Sequence, residues 1–246
     1  MKTRKVLAGL ATAGLVAVGI TVGGAAPASA GCATEIGSSS MTPVVVGTSA
    51  VVTSTFTFKV NDCGEDAEPF YTGADFYHDP SGWEYAANIV KRSHVGDTYT
   101  FSGTTRWDPR FMYNEEAGTW KPLVNAYGST QDEEYTNTFR VQRRAVTTTN
   151  ATPEPIAKGR TLTVRGTLKR ANWDTGRYAG YGSQKATLQF RTPTGAYANV
   201  KNVTSSSSGD LKTTVTARKD GCYRYVYAGH STTSGAISVG DCVNVT

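Results

Sequence analysis

The sequence predicts an all-β protein of two sandwiches in tandem, following a cleaved export signal. Three observations carry this reading. After residue 30, apolar and polar residues alternate at period two, and no stretch holds a 3.6-residue period. The breaks between alternating runs carry turn chemistry, as at Thr194-Gly195, Ser208-Gly209, Asp220-Gly221 and Gly240-Asp241. A Thr- and Pro-rich interval, TTTNATPEP at 147–155, separates two halves of similar character.

The chain begins with a basic cluster, Lys2, Arg4 and Lys5, followed by an uncharged apolar run from Val6 to Val22. Ala28-Ser29-Ala30 then supplies the small-x-small pattern of a signal-peptidase site. The glycines of the run and the Ala-x-Ala ending favour cleavage over a membrane-spanning helix, so residues 1–30 are expected to be removed. Cys32 lies one residue beyond the expected start at Gly31, but Ser29 stands where a lipidation signal wants an aliphatic residue. The expected product is secreted and extracellular, with no lipid anchor and no membrane span. A hydrophobic content of 39% excludes general disorder, and a mean hydropathy of −0.34 excludes an integral helical membrane protein.

The first half, 31–145, opens its alternation at Val51 to Val60, with Phe56, Phe58 and Val60 on one face and Thr55, Thr57 and Lys59 on the other. Thr98 to Trp107 repeats the pattern through Tyr99 and Phe101, and Asn137 to Arg143 closes the half through Phe139 and Val141. Residues 146–155 are read as a linker. The second half, 156–246, alternates at Leu162, Val164 and Leu168, then at Ala186, Leu188 and Phe190. Leu211 with Val215, and Val243 with Val245, follow the same rule. Tyr223, Tyr225 and Tyr227 share one face of the penultimate strand, either as core or as an exposed stripe. Charge divides the halves: 15 acidic and 9 basic residues give −6 over 31–145, and 5 acidic and 13 basic give +8 over 146–246. Such a dipolar molecule attracts its own halves, a wall or a partner.

Glu116-Ala117-Gly118-Thr119-Trp120-Lys121-Pro122 resembles the immunoglobulin-like pattern Asp-x-Gly-x-Tyr-x-Cys at the start of strand F. Trp120 takes the corner-tyrosine position without a hydroxyl to bond, and Pro122 stands where a disulfide cysteine would be. The resemblance implies an immunoglobulin-like sandwich without an inter-sheet bridge. The second half carries Leu162-Thr163-Val164-Arg165-Gly166-Thr167-Leu168, Lys185-Ala186-Thr187-Leu188-Gln189-Phe190-Arg191, Asp220-Gly221-Cys222-Tyr223-Arg224-Tyr225 and Gly240-Asp241-Cys242-Val243-Asn244-Val245. Over roughly residues 156–246 these resemble bacterial Ig-like modules of secreted actinobacterial proteins, a largely uncharacterised family. That resemblance implies a fold and an extracellular setting, and places no catalytic residue.

Four cysteines in an exported chain point to two disulfides. Each half holds two, so the expected pairs are Cys32 with Cys63 and Cys222 with Cys242. The spacing lacks the CxxC and neighbouring histidines of a zinc site.

No catalytic constellation emerges: there is no HExxH, Gly-x-Ser-x-Gly, Walker loop or dinucleotide fingerprint, so no enzyme and no cofactor are expected. Asp62, Glu65 and Asp66 form a compact acidic loop, read as a solvated turn with a calcium site as the alternative. The loop around Trp173, Arg177, Tyr178 and Tyr181, glycine-rich and lying between two strands, is the candidate partner-binding loop. The basic residues are dispersed and no nucleic-acid module is present. The function expected is a secreted, non-catalytic binding or scaffold protein, contacting an extracellular protein or a cell-wall or glycan surface through loops. The alternatives are a calcium- or carbohydrate-binding module and, after these, a protease inhibitor or small hydrolase.

Overall fold

Alternation along each strand sets which face is buried, and the buried faces sort the strands into four sheets. The computed structural model describes residues 35–61, 72–86, 88–96, 98–126, 133–134 and 137–246. The first ten strands are β1 (Glu35–Met41), β2 (Val44–Val46), β3 (Val52–Asn61), β4 (Thr72–His78) and β5 (Trp83–Ala86), then β6 (Asn88–Val95), β7 (Thr98–Trp107), β8 (Gly118–Ala126), β9 (Glu133–Glu134) and β10 (Phe139–Arg143). One sheet runs β1-β3-β7-β6; the other runs β2-β10-β8-β4-β5, with β9 also on β8. Strand β2 is parallel to β10, and the remaining pairs are antiparallel. In immunoglobulin lettering this is A-B-E-D against A′-G-F-C-C′.

The next ten strands are β11 (Ala145–Thr147), β12 (Asn150–Thr152), β13 (Thr161–Asn172), β14 (Arg177–Gly180) and β15 (Lys185–Arg191), then β16 (Ala198–Thr204), β17 (Asp210–Thr216), β18 (Gly221–Tyr227), β19 (Ala236–Ile237) and β20 (Asp241–Val243). Strand β13 pairs with β11, β12, β14 and β17, while β15 and β18 carry β16, β19 and β20. This is A-B-E against C′-C-F-G, so the chain is all-β and both halves are immunoglobulin-like sandwiches. Among the described residues no D strand flanks β17, whereas β6 flanks the corresponding β7. No helix of the described residues is long and apolar enough to cross a membrane.

Two expectations need correction. Half of the 146–155 interval is strand rather than linker, at 146–147 and 150–152. Thr147 pairs with Leu168 and Ala151 with Val164, and Ala151 is fully buried. Threonine is polar by hydropathy but β-branched, and its strand preference prevails where a partner edge is available. The second correction concerns Trp120. It has no hydroxyl, yet its indole Nε1–H donates to the Glu116 carbonyl at 2.8 Å. The indole thus makes the backward bond to the chain that the corner tyrosine makes in immunoglobulin domains.

Aromatic rings pack between the two sheets of the first sandwich. Phe76 meets Phe56 edge-on at 5.2 Å, and Trp107 meets Trp120 edge-on at 5.2 Å. Edge-to-face contacts of this kind add about 0.5–1.5 kcal/mol each beyond burial. In the second sandwich Tyr223, Tyr225 and Tyr227 all point into the core. The Tyr225 hydroxyl donates to the Val164 carbonyl at 3.0 Å, and burial pushes its pKa up to about 12. Cys222 and Cys242 are cross-strand partners on β18 and β20 and are joined by a disulfide. Cys32 and Cys63 lie outside the described residues.

Candidate functional site

The candidate loop around Trp173 turns inward and joins the two sandwiches. Trp173 is 3% exposed and belongs to the core of the first sandwich, although β13 delivers it from the second. Its Nε1–H donates to the Gly47 carbonyl at 2.9 Å, and its backbone N–H donates to Asn114 Oδ1 at 3.0 Å. Asn114 in turn donates through its backbone N–H to Asp174 Oδ1 at 2.9 Å, and through its side-chain amide to Asn172 Oδ1 at 2.8 Å and to Asp174. Asn114 opens a short 3-10 turn at Asn114–Glu116, just before the Trp120 corner. The strand F corner of one sandwich therefore holds the end of strand B of the other.

The main chain adds a second set of bonds. Arg144 N–H donates to Val46 O at 2.8 Å, and Ala171 N–H donates to Arg144 O at 2.8 Å. The Arg143 side chain is buried, with Nε–H donating to Ala171 O at 2.6 Å. Burial and, to a lesser degree, the neighbouring Arg170 lower its pKa to about 10. Strand β14 occupies 177–180, where a loop was expected, and the Tyr178 ring packs against the first core. Tyr181 is 8% exposed, lies under the Arg170 guanidinium at 4.1 Å, and hydrogen-bonds His230. Of the four loop residues only Arg177 is exposed.

Of the glycines that suggested a turning loop, Gly176 does turn the chain, at φ +65° with open space around it, while Gly180 and Gly182 serve close approach. A Cβ on Gly180 would lie 1.9 Å from Ser208 O, and one on Gly182 would lie 2.7 Å from Ser206 O. Gly180 and Gly182 let this segment pack on the β16–β17 turn. Spacing alone cannot distinguish that use of glycine from conformational freedom. Asp62, Glu65 and Asp66 lie outside the described residues. Among those described, no group of three His, Cys, Asp or Glu side chains could hold a metal ion.

At the end of the second sandwich away from this junction lies a groove of about 460 Å³ between β16 and β17. Its walls carry Lys201, Arg218 and Lys219, and its floor carries Phe190, Val215 and Tyr223. Lys219 Nζ stands 6.0 Å from the Phe190 ring centre, and no carboxylate lines the groove. The outer face of the same sheet presents Arg224, stacked on Tyr197 at 3.7 Å, with Nε–H donating to Gln189 Oε1 at 2.9 Å. Gln189 Nε2 donates onward to Asn199 Oδ1 at 2.9 Å. Sequence reading missed the groove because its cations are dispersed along the chain. Their only trace in the sequence is the +8 charge of residues 146–246.

No protein-family model matches the chain, and no curated protein matches it. Among solved structures it is similar to the full ectodomain (Ig1–Ig3) of mouse nectin-like molecule 4, at 11% identity over 87% of this chain and 65% of that one, with a TM-score of 0.32. It is also similar to the Yersinia pseudotuberculosis adhesin InvE, at 12% identity over 85% of this chain and 58% of that one, with a TM-score of 0.31. The D0–D1 domain of intimin matches at 11% identity over 85% of this chain and 98% of that one, with a TM-score of 0.27. The chain thus spans less than two thirds of the first two. At these TM-scores nothing about activity rests on the likeness.

Proposed function

We propose that this is a non-catalytic binding protein of the extracellular space or cell surface. Its two sandwiches act as one stiff support, and the far end of the second carries the partner surface. The observation that carries this reading is the interlocked junction. The aromatic residues best suited to contact a partner are used to hold two sandwiches together, an arrangement suited to presenting a surface at a set distance and orientation. The Cys222–Cys242 disulfide fits an oxidising compartment, and the basic start with Ala28-Ser29-Ala30 fits export.

The test is capture on immobilised protein beginning at Gly31, using medium and surface fractions from the producing cells. Saturable retention of a protein or glycan, displaced by free protein, is expected. Absence of saturable retention from every fraction rejects the reading.

A further inference from the structure

The groove between β16 and β17 lies where the first sandwich has a D strand. There β6 pairs along the outside of β7, and here the outer side of β17 is bare. A bare edge invites an added strand, but two features oppose one. The β15–β16 pairing is broken by a bulge at Leu188/Gln189, which twists the β16 edge. Lys201 Nζ crosses the gap and donates to the Thr214 carbonyl at 2.8 Å, so an acceptor that a ladder on β17 would need is already taken. A lysine on an edge and a bulge are the usual devices against strand addition.

What remains is a channel whose chemistry suits a different ligand. The part-exposed Phe190 ring, backed by the buried Tyr223, offers apolar surface, the strand edges offer main-chain polar groups, and Lys201, Arg218 and Lys219 supply charge of a single sign. Among the described residues, none of the thirteen lysines and arginines of 146–246 forms an ion pair. Sugar rings combine an apolar face with hydroxyls, and an acidic sugar adds the anion. We propose that this groove binds a linear anionic glycan, with Arg218 and Lys219 receiving its carboxylate or sulfate groups and Phe190 lying against a ring. This deepens the binding role proposed above and rests on it.

The test uses the intact chain and four labelled probes at matched salt: oligogalacturonate, dextran sulfate, neutral dextran and a single-stranded oligonucleotide of similar charge. At least one anionic glycan is expected to bind, the tighter of the two identifying the anion, while neutral dextran does not. The pair Arg218→Ala/Lys219→Ala should weaken binding about tenfold, as expected for charges in contact with the ligand rather than remote from it. The charge-matched pair Lys169→Ala/Lys185→Ala, at the junction end, should change it less than about twofold, the remote-charge control. Equal loss in both pairs, oligonucleotide binding as tight as glycan binding, or no binding of either anionic glycan overturns the proposal. In the last case, saturable capture from surface fractions would leave the wider binding role standing.

Discussion

Trp120 and the residues around it concentrate the first sandwich's unusual chemistry at one corner. Glu116 is fully buried, and its carboxylate accepts from the Tyr113 backbone N–H at 2.6 Å and the Tyr85 hydroxyl at 2.8 Å. Replacing Trp120 by Phe keeps most of the volume but leaves the buried Glu116 carbonyl without its donor. A loss of about 1–3 kcal/mol is expected, read as a lower midpoint in chemical denaturation. His78, 2% exposed and stacked on Trp120 at 5.1 Å, shifts the other way from Glu116 with pH. Burial, opposed by Asp79 and Glu115, holds its pKa below the ordinary 6.5. A lowered folded pKa gives stability that is present above 6.5 and lost as pH falls through the lowered value. Burial raises the Glu116 pKa against its hydrogen bonds, so its contribution is present below 4.5 and lost as pH rises through the raised value. Acidification below 6.5 therefore removes the His78 contribution, together with that of His230, whose pKa burial also lowers. Glu116 works against the loss at lower pH, and His78→Gln should flatten the pH dependence of the denaturation midpoint just below 6.5. An unchanged dependence there would show that His78 is not among the titrating groups.

Strands with strict alternation were readable directly. Phe56, Phe58 and Val60 on β3, and Leu162, Val164 and Leu168 on β13, are buried as their spacing required. Strands β11 and β12 were hidden because threonine does not mark a buried face. Strand β14 was hidden because Gly176, Gly180 and Gly182 read as a loop. The groove was hidden for a third reason: its parts are far apart in sequence and meet only through the β16 and β17 edges. At this scale two outcomes follow. Limited proteolysis should spare 146–152, since that backbone is paired to β13, whereas an open linker would be cut there first. Replacing both Cys222 and Cys242 by Ala, which opens a cross-link of sequence separation 20, should lower stability by about 2–4 kcal/mol. Thermal unfolding of the oxidised protein and the double variant measures that loss, and equal midpoints would contradict it.

Across the whole molecule, the junction converts two sandwiches into one unit. Trp173 fills the core of the sandwich it does not belong to by sequence, and Arg143, Arg144, Asn114 and Asp174 complete the contact with buried and main-chain hydrogen bonds. Opposite charge on the halves, −6 over 31–145 and +8 over 146–246, favours the same association. Removing the Trp173 side chain should cost about 3–5 kcal/mol, the range for truncating a large buried aromatic. Scanning calorimetry of the oxidised protein tests the coupling most directly. One transition is expected, with calorimetric and van't Hoff enthalpies in agreement, and Trp173→Ala should lower or split it. Two separate transitions in the wild-type protein, with Trp173→Ala moving only one of them, would contradict a single stiff support.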